Sequence, residues 1–177
     1  AALPAPFAPV HLLFINLLTD SLPALAIGTE KSDRGLLAEQ PRDTKEGILT
    51  GNFIFHLFGY GMMIAIVTMT AFYIGLQSDA MTASTMAFAT LTLARLFHGF
   101  NCRGKKMIFR LGLFTNKWSI AAFLAGVGLL GIVLWMPALS GVFEVSALSI
   151  AQAGMIALLA AVPTLCIQVT RTILGRE

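Results

Sequence analysis

The sequence predicts an all-α integral membrane protein with five transmembrane helices. Hydrophobic residues make up 56% of the 177 residues, charged residues only 12%, and the mean hydropathy is +0.79. Soluble domains carry about 25% charged residues, so this composition indicates a bilayer environment. A helix needs about 20 apolar residues to cross the hydrocarbon core, and the chain has room for five such helices with short connections. It has no room for a separate soluble catalytic domain.

The first span is predicted over residues 11–29, within the run LLFINLLTDSLPALAIGTE. On a helix, Asn16, Thr19 and Asp20 fall at i, i+3 and i+4, so their oxygens share one face. Pro23 cannot donate a backbone hydrogen bond, which predicts a break or bend near residues 20–23. A carboxylate within a membrane span is costly and by default indicates an ion path. We therefore predict a cation site here; the alternative is a carboxylate satisfied by neighbouring helices.

The other four spans are apolar runs separated by polar segments. Residues 77–84 are short and polar, and neither they nor residues 137–146 contain Lys or Arg. Trp118 and Trp135 bracket the fourth run as interfacial anchors. These runs predict spans at about 52–76, 85–100, 119–136 and 147–169.

The basic residues predict the orientation of these spans. Eleven of the twelve Lys and Arg residues lie in residues 30–50, in residues 101–117 or near the C-terminus. By the positive-inside rule, both loops and the C-terminus are cytoplasmic. Because the basic residues follow topology and form no cluster on a soluble face, a nucleic-acid partner is not expected. Arg95 is the remaining basic residue, and it lies inside the third span.

The chain carries no nucleotide-binding motif. Neither a GxxxxGK[ST] loop nor a DKTGT-like phosphorylation motif occurs in it. We therefore expect these residues alone to hydrolyse no ATP and to have no catalytic residues or bound cofactor of their own. Cys102 and Cys166 are too few for a disulfide framework or a metal knuckle, so both are predicted to be free thiols.

Three stretches resemble calcium-transporting P-type ATPases, especially the sarcoplasmic and endoplasmic reticulum type. PVHLLFI followed by NLLTDSLPALAIGTE is similar to the sixth transmembrane helix of that family, and QPRDTKEGIL is similar to the loop after it. TMAFATLTLARLFHGFN resembles the eighth helix, while the last two spans match by order and length only. The resemblance implies that the chain is a fragment of a bacterial-type pump, comprising the sixth to tenth helices of a ten-helix membrane domain.

The resemblance also implies site residues and partners. Asn16, Thr19 and Asp20 match the calcium ligands of the sixth helix, and Arg42 and Asp43 lie in a loop that contacts the phosphorylation domain. The implied partners are the first five helices and the cytoplasmic domains of the same pump, together with the lipid bilayer. ATP and Mg²⁺ would act only in those domains, and Ca²⁺ would be the transported ion. The implied location is the bacterial plasma membrane.

Arg95 departs from the family pattern. The eighth helix of the family offers a glutamate to the first calcium site, whereas this sequence has an arginine, which only donates hydrogen bonds and repels a divalent ion. Our hypothesis is that Arg95 pairs with Asp20 or with a carboxylate outside the chain. One calcium would then be exported per cycle, with protons returned. The alternative for Arg95 is that it snorkels to the cytoplasmic interface.

Two alternative functions stay open at this point. One is a non-enzymatic bundle of a secondary transporter or channel, in which Asp20 and Arg95 form a gating pair. The other is a P-type pump for Mn²⁺ or another cation.

Overall fold

The computed structural model describes residues 4–30, 47, 49–104 and 108–173, and every regular element in these ranges is helical. Five helices within these ranges are long and apolar enough to cross a membrane, which confirms the predicted fold class. The first consists of α1 (Pro9–Phe14), a π-helical segment (Ile15–Thr19) and α2 (Ser21–Gly28). The other four are α3 (Gly51–Gly75), α4 (Ala80–Asn101), α6 (Lys117–Trp135) and α8 (Ile150–Ile173), and two short helices are α5 (Ile108–Leu111) and α7 (Pro137–Ser140).

The central helix of the bundle is α4. It packs against α2, α3, α6 and α8, and 61% of its most apolar stretch is buried, against 22–29% for the other four membrane helices. Its small residues, including Ala83, Ala87 and Ala94, are fully buried and allow neighbouring helices to approach closely. The main core cluster combines α4 with the first, fourth and fifth membrane helices, through buried residues that include Phe14, Ile15, Met86, Phe88, Leu130, Val133 and Ile156.

The third and fifth helices differ in their bounds from the sequence prediction. We expected a polar loop over residues 77–84, but α4 begins at Ala80 because the Asp79 carboxylate accepts the backbone N–H of Thr82 at 2.8 Å and caps the helix. We expected the fifth span to end near residue 169, but α8 continues to Ile173. The Arg171 side chain donates to the carbonyl oxygens of Asn101 and Gly104, both at 3.0 Å, and holds this last turn against the end of α4.

Polar contacts connect the helices at both ends of the bundle. At one end, Nε2 of the buried His11 lies 2.6 Å from the carbonyl oxygen of Phe143, and the imidazole stacks on Phe88. At the other end, the Gln168 side-chain amide donates to Asn101 Oδ1 at 2.6 Å. These contacts join elements far apart in sequence: the first links the first membrane helix to the segment after α7, and the second links α8 to α4.

Candidate ion site at the break in the first membrane helix

The first membrane helix is interrupted where its polar residues lie. Its hydrogen bonding widens to a π-helical turn over Ile15–Thr19, and the Asp20 N–H donates to the carbonyl oxygen of Ile15 at 2.9 Å, five residues back. Pro23 follows and has no N–H to donate to the carbonyl oxygen four residues before it. Single π-helical turns of this kind occur frequently at functional sites. The irregularity thus lies at residues 15–20, just before the bend expected at residues 20–23.

The three predicted ligand side chains do not share one environment in the structure. Thr19 is 1% exposed, and its hydroxyl donates to the Ile15 carbonyl oxygen at 2.9 Å. Asp20 is half-buried and lies beside Thr19, whereas Asn16 is exposed and lies outside the cavity that Thr19 and Asp20 line. The structure therefore brings two of the predicted ligands to one cavity and places the third elsewhere.

The cavity next to Asp20 has a volume of about 600 Å³ and lies between the first membrane helix, α3 and α4. Most of its wall is apolar. Its polar wall consists of a few side chains from three helices, namely Thr19, Asp20, Tyr60, Thr68, Arg95 and His98. A largely apolar cavity with a few converging polar groups is the usual form of a small-ligand site.

Arg95 pairs with Asp20 across this cavity. The guanidinium Nη2 donates to Asp20 Oδ2, and the two side chains are 39% and 30% exposed. The Arg95 side chain thus contacts the carboxylate of the first membrane helix. A cation that binds Asp20 must share the carboxylate with this guanidinium or displace it, since both compete for the same oxygens.

The described residues supply only part of a calcium shell. Ca²⁺ takes about six to eight oxygen ligands. No group of three or more His, Cys, Asp or Glu side chains suitable for a metal occurs within the described ranges. The proposed loop residues Arg42 and Asp43 lie outside these ranges.

Sequence reasoning missed a second polar cluster, formed by Glu30, Arg103 and Asn116. Arg103 and Asn116 are both buried, with 7% and 5% of the residue exposed. The one available sequence signal was Asn116, which stands directly before an apolar run in a position typical of a helix N-cap. Nothing in the sequence linked it to Glu30, 86 residues earlier.

Comparison with known proteins identifies the family. The family model described as "Cation transporting ATPase, C-terminus" matches residues 4–173. The chain belongs to this family.

Relatives of this family member include calcium pumps of bacteria. It is 35% identical to calcium-transporting ATPase 1 of Bacillus cereus over 89% of the chain, and 33% identical to the calcium-transporting ATPase of Bacillus subtilis over 92%. It is 38% identical to a calcium-transporting ATPase of Listeria monocytogenes over 80% of the chain. The resemblance to calcium-transporting P-type ATPases is thereby confirmed. The matched region covers 20%, 19% and 16% of these three relatives, so the chain spans about a fifth of their length or less.

Proposed function

We propose that the chain is the C-terminal membrane part of an ATP-driven pump that exports Ca²⁺ from the cytoplasm. The observation that carries this proposal is the Asp20 carboxylate, placed at the π-helical break of a membrane helix and facing a cavity. The family membership supports it, as do the calcium pumps among the relatives. In this assignment the five spans are the sixth to tenth helices, and the loops at 30–50 and 101–117 and the C-terminus face the cytoplasm of a bacterium.

Asp20 is the principal ligand of the proposed site. Its carboxylate supplies the charge that a hard divalent cation requires, and Thr19 and Asn16 add uncharged oxygens. Because Asn16 is exposed and lies outside the cavity, it serves as a ligand only once helices outside this chain surround it. The remaining ligands come from the first five helices. ATP and Mg²⁺ act in the cytoplasmic domains, which contact the loop that carries Arg42 and Asp43.

Arg95 takes the place of one cation in this mechanism. Its fixed positive charge beside Asp20 occupies the position that a second calcium would need, so one Ca²⁺ is carried per cycle. Returning protons would compensate part of the exported charge. The pair also explains how a carboxylate is tolerated within the membrane when no calcium is bound.

Two variants of the complete pump test this assignment. Asp20→Asn removes the charge at nearly constant shape and is expected to abolish Ca²⁺-dependent phosphorylation by ATP. A variant with the normal calcium dependence would rule out Asp20 as the principal ligand. Titrating the unmodified pump with Mn²⁺ in parallel separates a calcium pump from a manganese pump.

Arg95→Glu tests the stoichiometry. We expect the number of Ca²⁺ ions bound per phosphoenzyme to rise from about one towards two, because a carboxylate replaces the guanidinium. The matched control is Lys117→Gln, which removes an exposed cation at the start of α6. An unchanged ion count in Arg95→Glu would show that Arg95 does not fill a cation site.

A further inference from the structure

A second arginine–carboxylate pair joins the same two chain segments as the pair at the ion site. Arg103 donates from Nε to Glu30 Oε2 and from Nη2 to Glu30 Oε1, both at 2.9 Å, so the pair is bidentate. The Arg103 side chain is 1% exposed and that of Glu30 is 22% exposed. A partly buried, bidentate pair of this kind is geometrically specific, in contrast to an exposed surface ion pair.

The remaining donors of Arg103 bind the connection between α4 and α6. Nη1 donates to the carbonyl oxygens of Gly112 and Leu113, both at 3.3 Å, and Nη2 donates to Thr115 Oγ1 at 2.9 Å. Gly112 has a φ of +80°, the left-handed conformation that allows the chain to turn around the guanidinium. Arg103 therefore holds this turn and Glu30 together.

Asn116 completes the cluster from the start of α6. Its Oδ1 accepts the N–H groups of Trp118 and Ser119 and so caps α6. Its Nδ2 donates to the carbonyl oxygen of Ala26 at 3.0 Å and to Glu30 Oε2 at 2.8 Å. One side chain thus joins the end of α2 to the beginning of α6. We call Glu30, Arg103 and Asn116 the Glu30 clamp.

The clamp and the ion-site pair lie at opposite ends of α2. Asp20 immediately precedes this helix and Glu30 lies two residues beyond its end, at a distance along the axis of about 15 Å for ten residues. Between them, a Cβ at Gly99 of α4 would lie 3.3 Å from Pro23 Cβ, so α2 and α4 are already in close contact. Because α2 is a single short helix of eight residues, we expect a shift at Glu30 to be transmitted along it to Asp20.

We propose that the Glu30 clamp is a positioning device for the ion site: it fixes α2 against α4 and α6 so that Asp20 is held in register with Arg95. This inference rests on the proposed function, in which Asp20 binds the transported ion. The members of the clamp do not touch the ion and act on it through α2. A pump without the clamp must order α2 when calcium binds, so its apparent calcium affinity falls while its maximal phosphorylation is retained.

The test compares Glu30→Gln with Glu144→Gln in the complete, detergent-solubilised pump. Gln is close to Glu in shape, but its amide group places a donor opposite the Arg103 donors and breaks the bidentate pair. Glu144 is an exposed carboxylate between α7 and α8, and the same substitution there is the matched control. Arg103→Lys keeps the positive charge but cannot form the bidentate pair, and it serves as the second variant if Glu30→Gln does not fold.

Two measurements decide the proposal. In Glu30→Gln, hydrogen exchange of the α2 amides is expected to accelerate, and the Ca²⁺ concentration for half-maximal phosphorylation is expected to rise by about fivefold or more. Neither changes in Glu144→Gln. If hydrogen exchange of the α2 amides does not change in Glu30→Gln, the Glu30 clamp does not hold α2 and the proposal is refuted. If exchange accelerates but the Ca²⁺ concentration for half-maximal phosphorylation does not change, the clamp is a structural contact only and its positioning role is refuted.

The same experiment distinguishes failure of this inference from failure of the proposed function. An unmodified pump without calcium-dependent phosphorylation would refute the calcium assignment. Hydrogen exchange would still report whether Glu30 holds α2, because that measurement does not depend on the identity of the ion.

Discussion

The close approach of α3 and α4 at Gly75 predicts a large effect of a single methyl group. A Cβ at Gly75 would lie 2.5 Å from Ala83 Cα and 2.9 Å from Ala83 N, whereas carbon atoms pack at about 3.5–4.0 Å. Since the obstructing atoms are backbone, Gly75→Ala must push the two helices apart by about 1 Å. Such overpacking costs about 1–3 kcal/mol.

Two other glycines, both on α6, provide matched controls. A Cβ at Gly128 meets no atom within 4 Å, so Gly128→Ala should gain up to about 1 kcal/mol from the higher helix propensity of alanine. A Cβ at Gly126 would lie 2.6 Å from Leu96 Cδ2, which is the end of a flexible side chain. The stability of Gly126→Ala should therefore lie between those of Gly128→Ala and Gly75→Ala.

The assay is unfolding of the purified chain in mixed micelles with increasing SDS, followed by circular dichroism. We expect stability to decrease in the order Gly128→Ala, Gly126→Ala, Gly75→Ala, with about 1–4 kcal/mol between the first and the last. If Gly75→Ala were as stable as Gly128→Ala, the described contact between α3 and α4 would be wrong.

Two further predictions concern buried and ion-paired groups at the ends of the bundle. The Ala8 N–H donates to His11 Nδ1, so Nε2 carries the proton and donates to the Phe143 carbonyl oxygen. His11→Leu leaves that carbonyl oxygen without its partner and should lower the free energy of unfolding by about 1–3 kcal/mol in the same SDS titration. His11→Gln should restore part of this lost stability. The hydrogen bond from Arg103 holds the pKa of Glu30 below its usual range, although desolvation opposes the shift. Since the folded-state pKa is lowered, Glu30 contributes stability above its ordinary pKa of about 4.3 and loses it as pH falls through the lower, folded-state value. The stability difference between the unmodified chain and Glu30→Gln should therefore be constant near pH 7 and shrink below about pH 4; a difference independent of pH would contradict the pairing.

Much of the fold was predictable because membrane insertion depends on composition along the chain. A backbone in lipid must satisfy its hydrogen bonds within each segment, so an apolar run of sufficient length predicts a helix without knowledge of its neighbours. The exceptions are local: the cap at Asp79 begins α4 earlier than hydropathy suggested, and Arg171 extends α8 beyond the apolar run. In both cases the hydrogen bonds of one side chain set the end of the helix, which the mean hydropathy of the segment does not predict.

The sequence by itself determined the five membrane helices, singled out Asp20 as a costly carboxylate and revealed Arg95 as a departure from the family pattern. Only the tertiary structure decided that Thr19 and Asp20 line the cavity while Asn16 is exposed outside it, because a shared helix face does not say which part of that face the neighbouring helices cover. Likewise, only the folded chain brings Glu30 to Arg103, 73 residues away. Helical periodicity relates residues within a few turns, whereas contacts between helices depend on how they pack, and the sequence of one helix does not contain that information.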